Sequence, residues 1–173
     1  MKTRRLLAIS LSVAIIFSLE QVLMFLPNVQ LTTLLIFIFV SFFTFKESVL
    51  MISIYVLIDN LYLGGFNVFY MMPMFIAWNL IPVAYHTVLR KTKSEYILAF
   101  FAFGFGFVYG WIFIPFVVIQ TGMNNFIPYL IADIPFEIIM AFTNFATIFW
   151  LYKPLYKKIN DNNLLSYGNE IYG

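Results

Sequence analysis

The segment 129–152, YLIADIPFEIIMAFTNFATIFWLY, is apolar over the roughly 20 residues that a membrane-spanning helix needs. It nevertheless carries two carboxylates, Asp133 and Glu137, one helical turn apart. On a soluble protein such acids would face water, but the composition argues against a soluble protein. Hydrophobic residues make up 62% of the 173 residues and charged residues only 10%, against roughly 25% charged in soluble domains. The sequence therefore predicts an integral membrane protein that holds acids within the bilayer.

Six continuous apolar segments predict an all-α fold, a bundle of six transmembrane helices. They lie near 6–26, 31–45, 48–63, 69–89, 96–119 and 129–152. A membrane β-barrel is disfavoured, because the segments do not alternate with period two. The first segment is predicted to be a retained helix, since no small-residue cleavage site follows it. We expect residues 1–158 to form the membrane domain and residues 159–173 a short polar tail.

The positions of the basic residues predict the orientation. In a six-helix arrangement all ten Lys and Arg residues fall on the same side of the membrane: Lys2, Arg4, Arg5, Lys46, Arg90, Lys91, Lys93, Lys153, Lys157 and Lys158. Connections on the cytoplasmic side are enriched in Lys and Arg. Both termini are therefore predicted to be cytoplasmic.

Four of the eight acids lie inside predicted helices: Glu20, Asp59, Asp133 and Glu137. At 1.5 Å per residue, all four fall within roughly 15 Å of the outer surface. A carboxylate within a membrane is costly and usually faces a cavity or a partner, so the four acids predict a polar pocket that opens outward. Asp133 fits equally well as a cap near the start of its helix, with Pro135 in the first turn. Glu137 lies deeper, which favours a functional role.

Aromatic and amide side chains in the same half complete the predicted substrate site. Small organic ligands bind to apolar and aromatic walls with a few polar groups. The candidates besides the four acids are Trp78, Asn79, Trp111, Asn28 and Gln30. Tryptophans near helix ends also fit a role as membrane-interface residues, and Asn79 and Asn144 fit a role as hydrogen-bond donors between helices.

The sequence lacks the residues that common catalytic and metal sites need. There is one histidine, His86, no cysteine, and no HExxH, GxSxG or P-loop motif. A single histidine without cysteine makes a transition-metal site improbable. We therefore expect no enzymatic activity, no cofactor and no bound metal.

Two predicted helices carry small residues four positions apart, a spacing that allows close helix approach in lipid. In the fifth helix these residues are Ala102, Gly106 and Gly110, for which internal packing is the favoured interpretation. In the first helix they are Ser10, Ala14 and Ser18, with Ala8 and Ser12 beside them. The first helix is the better candidate for presenting its small residues to another protein.

Two stretches resemble the substrate-binding S components of energy-coupling factor transporters. LPNVQL at 26–31 is similar to the loop that caps the S-component pocket, and ADIPFEIIMAFTNF at 132–145 is similar to the pattern of the last helix. The resemblance extends over the whole chain and implies vitamin uptake across the plasma membrane of a prokaryote. An S component captures its substrate outside and docks on a transmembrane coupling subunit driven by two ATPase subunits.

The resemblance also implies a docking surface. In the family, alanines four apart on the first helix contact the coupling subunit. The matching positions here are Ala8 with Ser12 and Ser10 with Ala14, so that a serine replaces one alanine in each pair. The nickel and cobalt members carry an N-terminal histidine site, which the sequence MKTRR lacks, so a metal substrate is not expected.

The charges predict the kind of substrate. No Lys or Arg falls on the outer side, so we expect a neutral or cationic heteroaromatic ligand of vitamin type, and no nucleic acid. It would stack on Trp78, Trp111 or a tyrosine and form hydrogen bonds with Glu137, Asp133 and Asn79. Two other interpretations stay open: a stand-alone secondary transporter that couples to protons through Glu137 or Asp133, and a structural membrane protein without a ligand.

Overall fold

The computed structural model describes residues 3–92, 94–162 and 165, and this part of the chain is helical without strands. The helices are α1 (Thr3–Leu23), α2 (Thr32–Phe42), α3 (Phe45–Tyr62), α4 (Val68–Thr87), α5 (Glu95–Thr121), α6 (Phe126–Thr147) and α7 (Lys153–Asp161). The predicted all-α class is confirmed. Lys2, Lys93 and all of the predicted tail beyond Asn162 except Leu165 lie outside the described residues.

Four helical stretches are long and apolar enough to cross a membrane. They are Thr3–Leu23, Val68–Thr87, Glu95–Thr121 and Phe126–Asp161. The last of these joins α6 to α7 through a π-helical turn, Ile148–Tyr152, so that helix continues into the segment predicted as tail. The chain is therefore a membrane protein built from helices.

Helix α2 forms the centre of the bundle. Ten of its eleven residues are buried, on every side of the helix. A helix that is apolar all round is stable only inside a protein or in lipid. At 1.5 Å per residue α2 is only about 17 Å long, shorter than the roughly 30 Å of a bilayer core. Its role is to fill the core around which the longer helices pack.

Helix α3 begins three residues before the predicted position 48, and its start is fixed by a capping box. The Thr44 side chain accepts a hydrogen bond from the Glu47 backbone N–H (3.4 Å), and the Thr44 backbone N–H donates to Glu47 Oε2 (2.9 Å). Glu47 also forms an ion pair with Arg5 (Nε–Oε1, 3.2 Å), and both side chains are mostly buried. The predicted segments 31–45 and 48–63 place Glu47 in the gap between two helices, whereas in the structure Glu47 lies in the first turn of α3 and caps it.

Replacing Glu47 with alanine is expected to lower the free energy of unfolding by about 2 kcal/mol, because the cap is lost and Arg5 keeps a buried charge without its partner. The unfolding midpoint of the protein in detergent measures this. The control is Lys153→Ala, which breaks an ion pair with Glu95 (Nζ–Oε2, 3.2 Å) in which the lysine side chain is 72% exposed. The control should lose less than about 1 kcal/mol. Equal losses would contradict the capping role of Glu47.

The described charges separate the bundle into two ends. At one end, which we call the basic end, Arg5 at the start of α1 donates to the carbonyl of Phe42 at the end of α2 (3.2 Å). Lys153 at the start of α7 pairs with Glu95 at the start of α5, and α7 lies at this end because Tyr156 stacks on Phe42 (5.0 Å). At the opposite end, which we call the acidic end, Glu20 of α1 lies against Tyr55 of α3. Helix α1 therefore runs from the basic end to the acidic end, and α2 ends back at the basic end.

Helix α6 packs on its neighbours through one narrow face. Its buried residues are Glu137, Met140, Ala141 and Asn144, at helical spacing, while most of its remaining surface is exposed. This face lies against α5, and among the described residues α5 and α6 form the most extensive helix pair. The small residues of α5 make the approach possible, which confirms that they pack internally. Asn144 Nδ2 donates across the pair to the carbonyl of Ala102 (3.3 Å).

Candidate functional site

A cavity of about 240 Å³ lies between α5 and α6 at the acidic end. We call it the Glu137 cavity, and its lining comprises Asn28, Tyr70, Gly106, Tyr109, Gly110, Phe113, Tyr129, Asp133, Glu137 and Met140. Glu137 and Met140 are buried, whereas Asn28 and Tyr70 are exposed. The cavity therefore has a carboxylate at its deep end and a mouth formed by the loop after α1 and the start of α4.

Glu137 is the most unusual side chain of this cavity. The residue is 3% exposed, and neither of its carboxylate oxygens has a hydrogen-bond partner among residues 3–92, 94–162 and 165. Trp111 lies beside the carboxylate but does not form a hydrogen bond of acceptable geometry with it. Buried polar groups are nearly always paired, and an unpaired one is costly. An orphaned carboxylate that lines a cavity is what a binding site for a hydrogen-bond donor requires.

Gly110 provides the space that the two acids occupy. A Cβ atom on Gly110 would lie within 2.9 Å of Asp133 Oδ2 and of Glu137 Cγ, and closer still to Glu137 Oε1. Such distances are shorter than side-chain atoms tolerate. The cavity therefore depends on a residue without a side chain at this position, a requirement that the acids alone did not reveal.

The structure excludes the interpretation of Asp133 as a helix cap. Helix α6 begins at Phe126, about two turns before Asp133, so that both Asp133 and Pro135 lie in the helix interior. Proline has no N–H to donate to the carbonyl four residues earlier, and this is tolerated in membrane helices whose freed groups find other partners. Asp133 is half-buried on the same face as Glu137, and both line the cavity.

The other two acids line a second cavity, of about 250 Å³, under the loop that follows α1. We call it the Glu20 cavity; it is lined by Glu20, Gln21, Leu23, Met24, Leu26, Pro27, Asn28, Val29, Gln30, Asp59 and Leu63. Here the acids already have partners. Tyr55 donates its hydroxyl to Glu20, and Gln21 Nε2 donates to Asp59 Oδ1 (3.4 Å). The four acids are thus divided into two pairs that differ in how they are satisfied.

The two cavities share one residue and are connected by aromatic rings. Asn28, which has a left-handed backbone (φ 57°), lines both. Behind it, Tyr55 packs on Trp78 (ring centroids 6.2 Å apart), and Trp78 packs on Tyr109 of the Glu137 cavity (5.0 Å). The two cavities are therefore bounded by the same loop at Asn28, and Tyr55 and Trp78 link Glu20 of one to Tyr109 of the other.

Three predicted site residues line neither cavity. Trp78 is buried behind Tyr109 and supports it. Trp111 is 54% exposed and packs on Phe107 (6.4 Å). Asn79 donates to the Phe75 carbonyl of its own helix (2.8 Å), and its Oδ1 accepts no hydrogen bond from the described residues. Of the predicted site residues, Glu137, Asp133 and Asn28 line the Glu137 cavity; Glu20, Asp59, Asn28 and Gln30 line the Glu20 cavity.

The aromatic lining that sequence reasoning did not single out consists of Tyr70, Tyr109, Phe113 and Tyr129. Tyr109 and Phe113 are one turn apart on α5, and their rings pack at 5.2 Å. Tyr70 of α4 packs edge-on against Phe113 (5.8 Å). Phe, Tyr and Trp together make up 21% of the chain, so the sequence offers many alternative aromatic candidates. The available signal was that Tyr109 and Phe113 flank Gly110 and that Tyr129 lies one helical turn before Asp133; Tyr70 carried no such signal.

The small residues of α1 divide between two faces. Ser12 is buried, and its hydroxyl donates to the Ala8 carbonyl (2.9 Å), so this side chain faces the bundle. Ser10 and Ala14 are exposed. With Val13, Phe17, Ser18, Ile54 and Ile58 they line a mostly apolar groove of about 300 Å³ between α1 and α3. Of the two predicted docking pairs, Ser10 with Ala14 is the accessible one.

Fold and site together define an all-helical membrane protein with an acid-lined cavity at one end. The chain matches no protein-family model, no curated protein and no solved structure.

Proposed function

We propose that this protein is a substrate-binding S component of an energy-coupling factor transporter, with the Glu137 cavity as its substrate site. One observation carries the proposal. The two stretches that resemble the family, 26–31 and 132–145, are about a hundred residues apart, yet Asn28 of the first and Asp133 and Glu137 of the second line the same cavity. The resemblance implies this arrangement, in which a loop caps a pocket and a helix supplies the acids of the pocket.

The proposed topology has six crossings, with both termini on the cytoplasmic side of a prokaryotic plasma membrane. The two ends of the bundle support it. Asn28 lies at the acidic end and the Phe42 carbonyl at the basic end, so the segment that contains the short α2 returns across the bundle. Arg5 and Lys153 lie at the opposite end from the cavities, as expected if that end is cytoplasmic. The Glu137 cavity then opens outward, where a substrate arrives.

The proposed partners are a transmembrane coupling subunit and two ATPase subunits. The exposed Ser10 and Ala14 on α1 provide a surface where a partner helix can approach closely in lipid. Because the bundle itself carries no nucleotide-binding motif, transport against a gradient would draw on the partner ATPases.

Replacing Ala14 with leucine is expected to reduce co-purification of the coupling subunit and ATPases at least tenfold, because the larger side chain fills the groove. Ligand binding by the isolated protein should stay within twofold of the wild type. The control is Ala132→Leu, the same change at an exposed position of α6 outside the groove, which should leave co-purification intact. Tagged protein expressed in its native cells, followed by mass spectrometry of the eluate, provides the measurement.

A proton-coupled secondary transporter is the second candidate, because an orphaned carboxylate beside a second acid also suits a proton site. Uptake measured in vesicles that contain only the purified protein distinguishes the two candidate functions. Uptake driven by a proton gradient without partner subunits would support the second candidate and overturn the first. Uptake that requires ATP and the co-purified subunits would support the S-component proposal.

A further inference from the structure

We infer that the ligand of the Glu137 cavity carries a cationic N–H donor group, of amidinium or ammonium type, attached to a single aromatic ring, and that this group binds between Glu137 and Asp133. The inference rests on the proposed role of the cavity as the substrate site and narrows the substrate class. It also decides between the two acid pairs, since it assigns the cation to the Glu137 cavity and leaves the Glu20 pair with a supporting role.

The Glu137 carboxylate has hydrogen-bonding capacity that no described residue uses. A carboxylate has two oxygens that accept hydrogen bonds, and both oxygens of the 97%-buried Glu137 are unpaired within the described part of the chain. The acids of the Glu20 cavity, in contrast, each accept a hydrogen bond from a neighbouring side chain. A ligand donor is therefore needed at Glu137 and is not needed at Glu20 or Asp59.

The charge of the lining determines the sign of the ligand. Asp133 stands one turn from Glu137, and Gly110 places both side chains against the same point of α5. No Lys or Arg is among the described residues that line this cavity. The two ion pairs Arg5–Glu47 and Lys153–Glu95 are at the basic end. A cation with two N–H groups would satisfy both acids, whereas an anion would meet two like charges in a site of low dielectric.

The aromatic walls and the volume determine the shape of the ligand. Tyr70, Tyr109, Phe113 and Tyr129 surround the acids. Aromatic faces attract cations and stack on flat rings. The volume of about 240 Å³ is smaller than the roughly 300–1,000 Å³ of pockets for drug-sized ligands. A single ring with one charged substituent fits these dimensions better than a fused or extended molecule.

Isothermal calorimetry with three probes of nearly the same shape tests the inference on the full chain purified in detergent. Benzamidinium is the cation, benzamide its neutral analogue and benzoate the anion. We expect benzamidinium to bind at least tenfold more tightly than benzamide, and benzoate not to bind. Glu137→Gln should remove the preference for benzamidinium. The matched control Glu95→Gln, at the basic end, should keep it.

Each contrary result overturns the inference. These results are equal or tighter binding of benzamide or benzoate, no binding of any probe in the millimolar range, or a loss in Glu20→Gln without a loss in Glu137→Gln. If Glu137→Gln does not fold, Asp133→Asn replaces it, and the wild-type preference among the probes remains decisive. A protein that prefers benzamidinium but recruits no ATPases would refute the proposed function and leave the cation site standing. A protein that recruits ATPases but prefers benzamide would refute the cation site and leave the proposed function standing.

Discussion

Replacing Gly106 with alanine is expected to separate α5 from α6 and to lower the free energy of unfolding by about 3 kcal/mol, at the upper end of typical overpacking costs. A Cβ atom on Gly106 would lie 2.7 Å from both Cα and N of Ala141. These are backbone atoms, so no side-chain rotation relieves the clash and one helix must move. The movement would also lengthen the hydrogen bond from Asn144 to the carbonyl of Ala102.

The matched control for Gly106→Ala is Gly104→Ala on the same helix. Gly104 is exposed, and a Cβ atom there meets no described atom within 4 Å. Alanine also has the higher helix propensity, so this variant should be as stable as the wild type or slightly more stable. The midpoint of unfolding in detergent, measured for both variants, gives the comparison. Unchanged stability of Gly106→Ala would mean that α5 and α6 are not packed as described.

Gly110→Ala is expected to weaken benzamidinium binding about a hundredfold without unfolding the protein. Here the atoms in the way belong to side chains, namely one carboxylate oxygen each of Glu137 and Asp133 and Cγ of Glu137, and none is backbone. The carboxylates can rotate away, so the helices keep their positions while the added methyl group takes the place of the bound cation. Loss of two charge-assisted hydrogen bonds at roughly 1.5 kcal/mol each gives about 3 kcal/mol, or two decades in affinity.

The Gly106 and Gly110 variants are expected to lose different properties. Gly106→Ala should lose stability, and Gly110→Ala should lose affinity while its unfolding midpoint stays near that of the wild type. Calorimetry and thermal unfolding on the same preparations separate the two effects. If Gly110→Ala binds benzamidinium as tightly as the wild type, the cation does not sit between Glu137 and Asp133.

Several features were correctly predicted because they depend on local sequence. Hydrophobic runs of this length predict helices in a membrane whatever their neighbours. The break between the predicted segments 48–63 and 69–89 is formed by Gly64 and Gly65, which adopt φ of 123° and 119°. The small residues of α5 were predicted to pack internally, and Gly106 and Gly110 do so. The start of α3 was predicted at 48 and lies at Phe45. Charged residues are common in loops, and the bonds of Glu47 with Thr44 and Arg5 cannot be seen in the sequence.

Composition and apolar segments alone predict a helical membrane protein with four acids inside its helices. Only the tertiary structure decided that these acids form two pairs, with Tyr55 and Gln21 satisfying one pair and Glu137 left without a partner. It also decided that Ser12 faces the bundle and Ser10 the outside. The physical reason is that helix rotation and the approach of distant helices are set by packing over the whole interface. Residues two positions apart on a helix, such as Ser10 and Ser12, point in directions that differ by roughly 200°. A pattern of small residues therefore does not show which face contacts a neighbouring helix until the position of that helix is known.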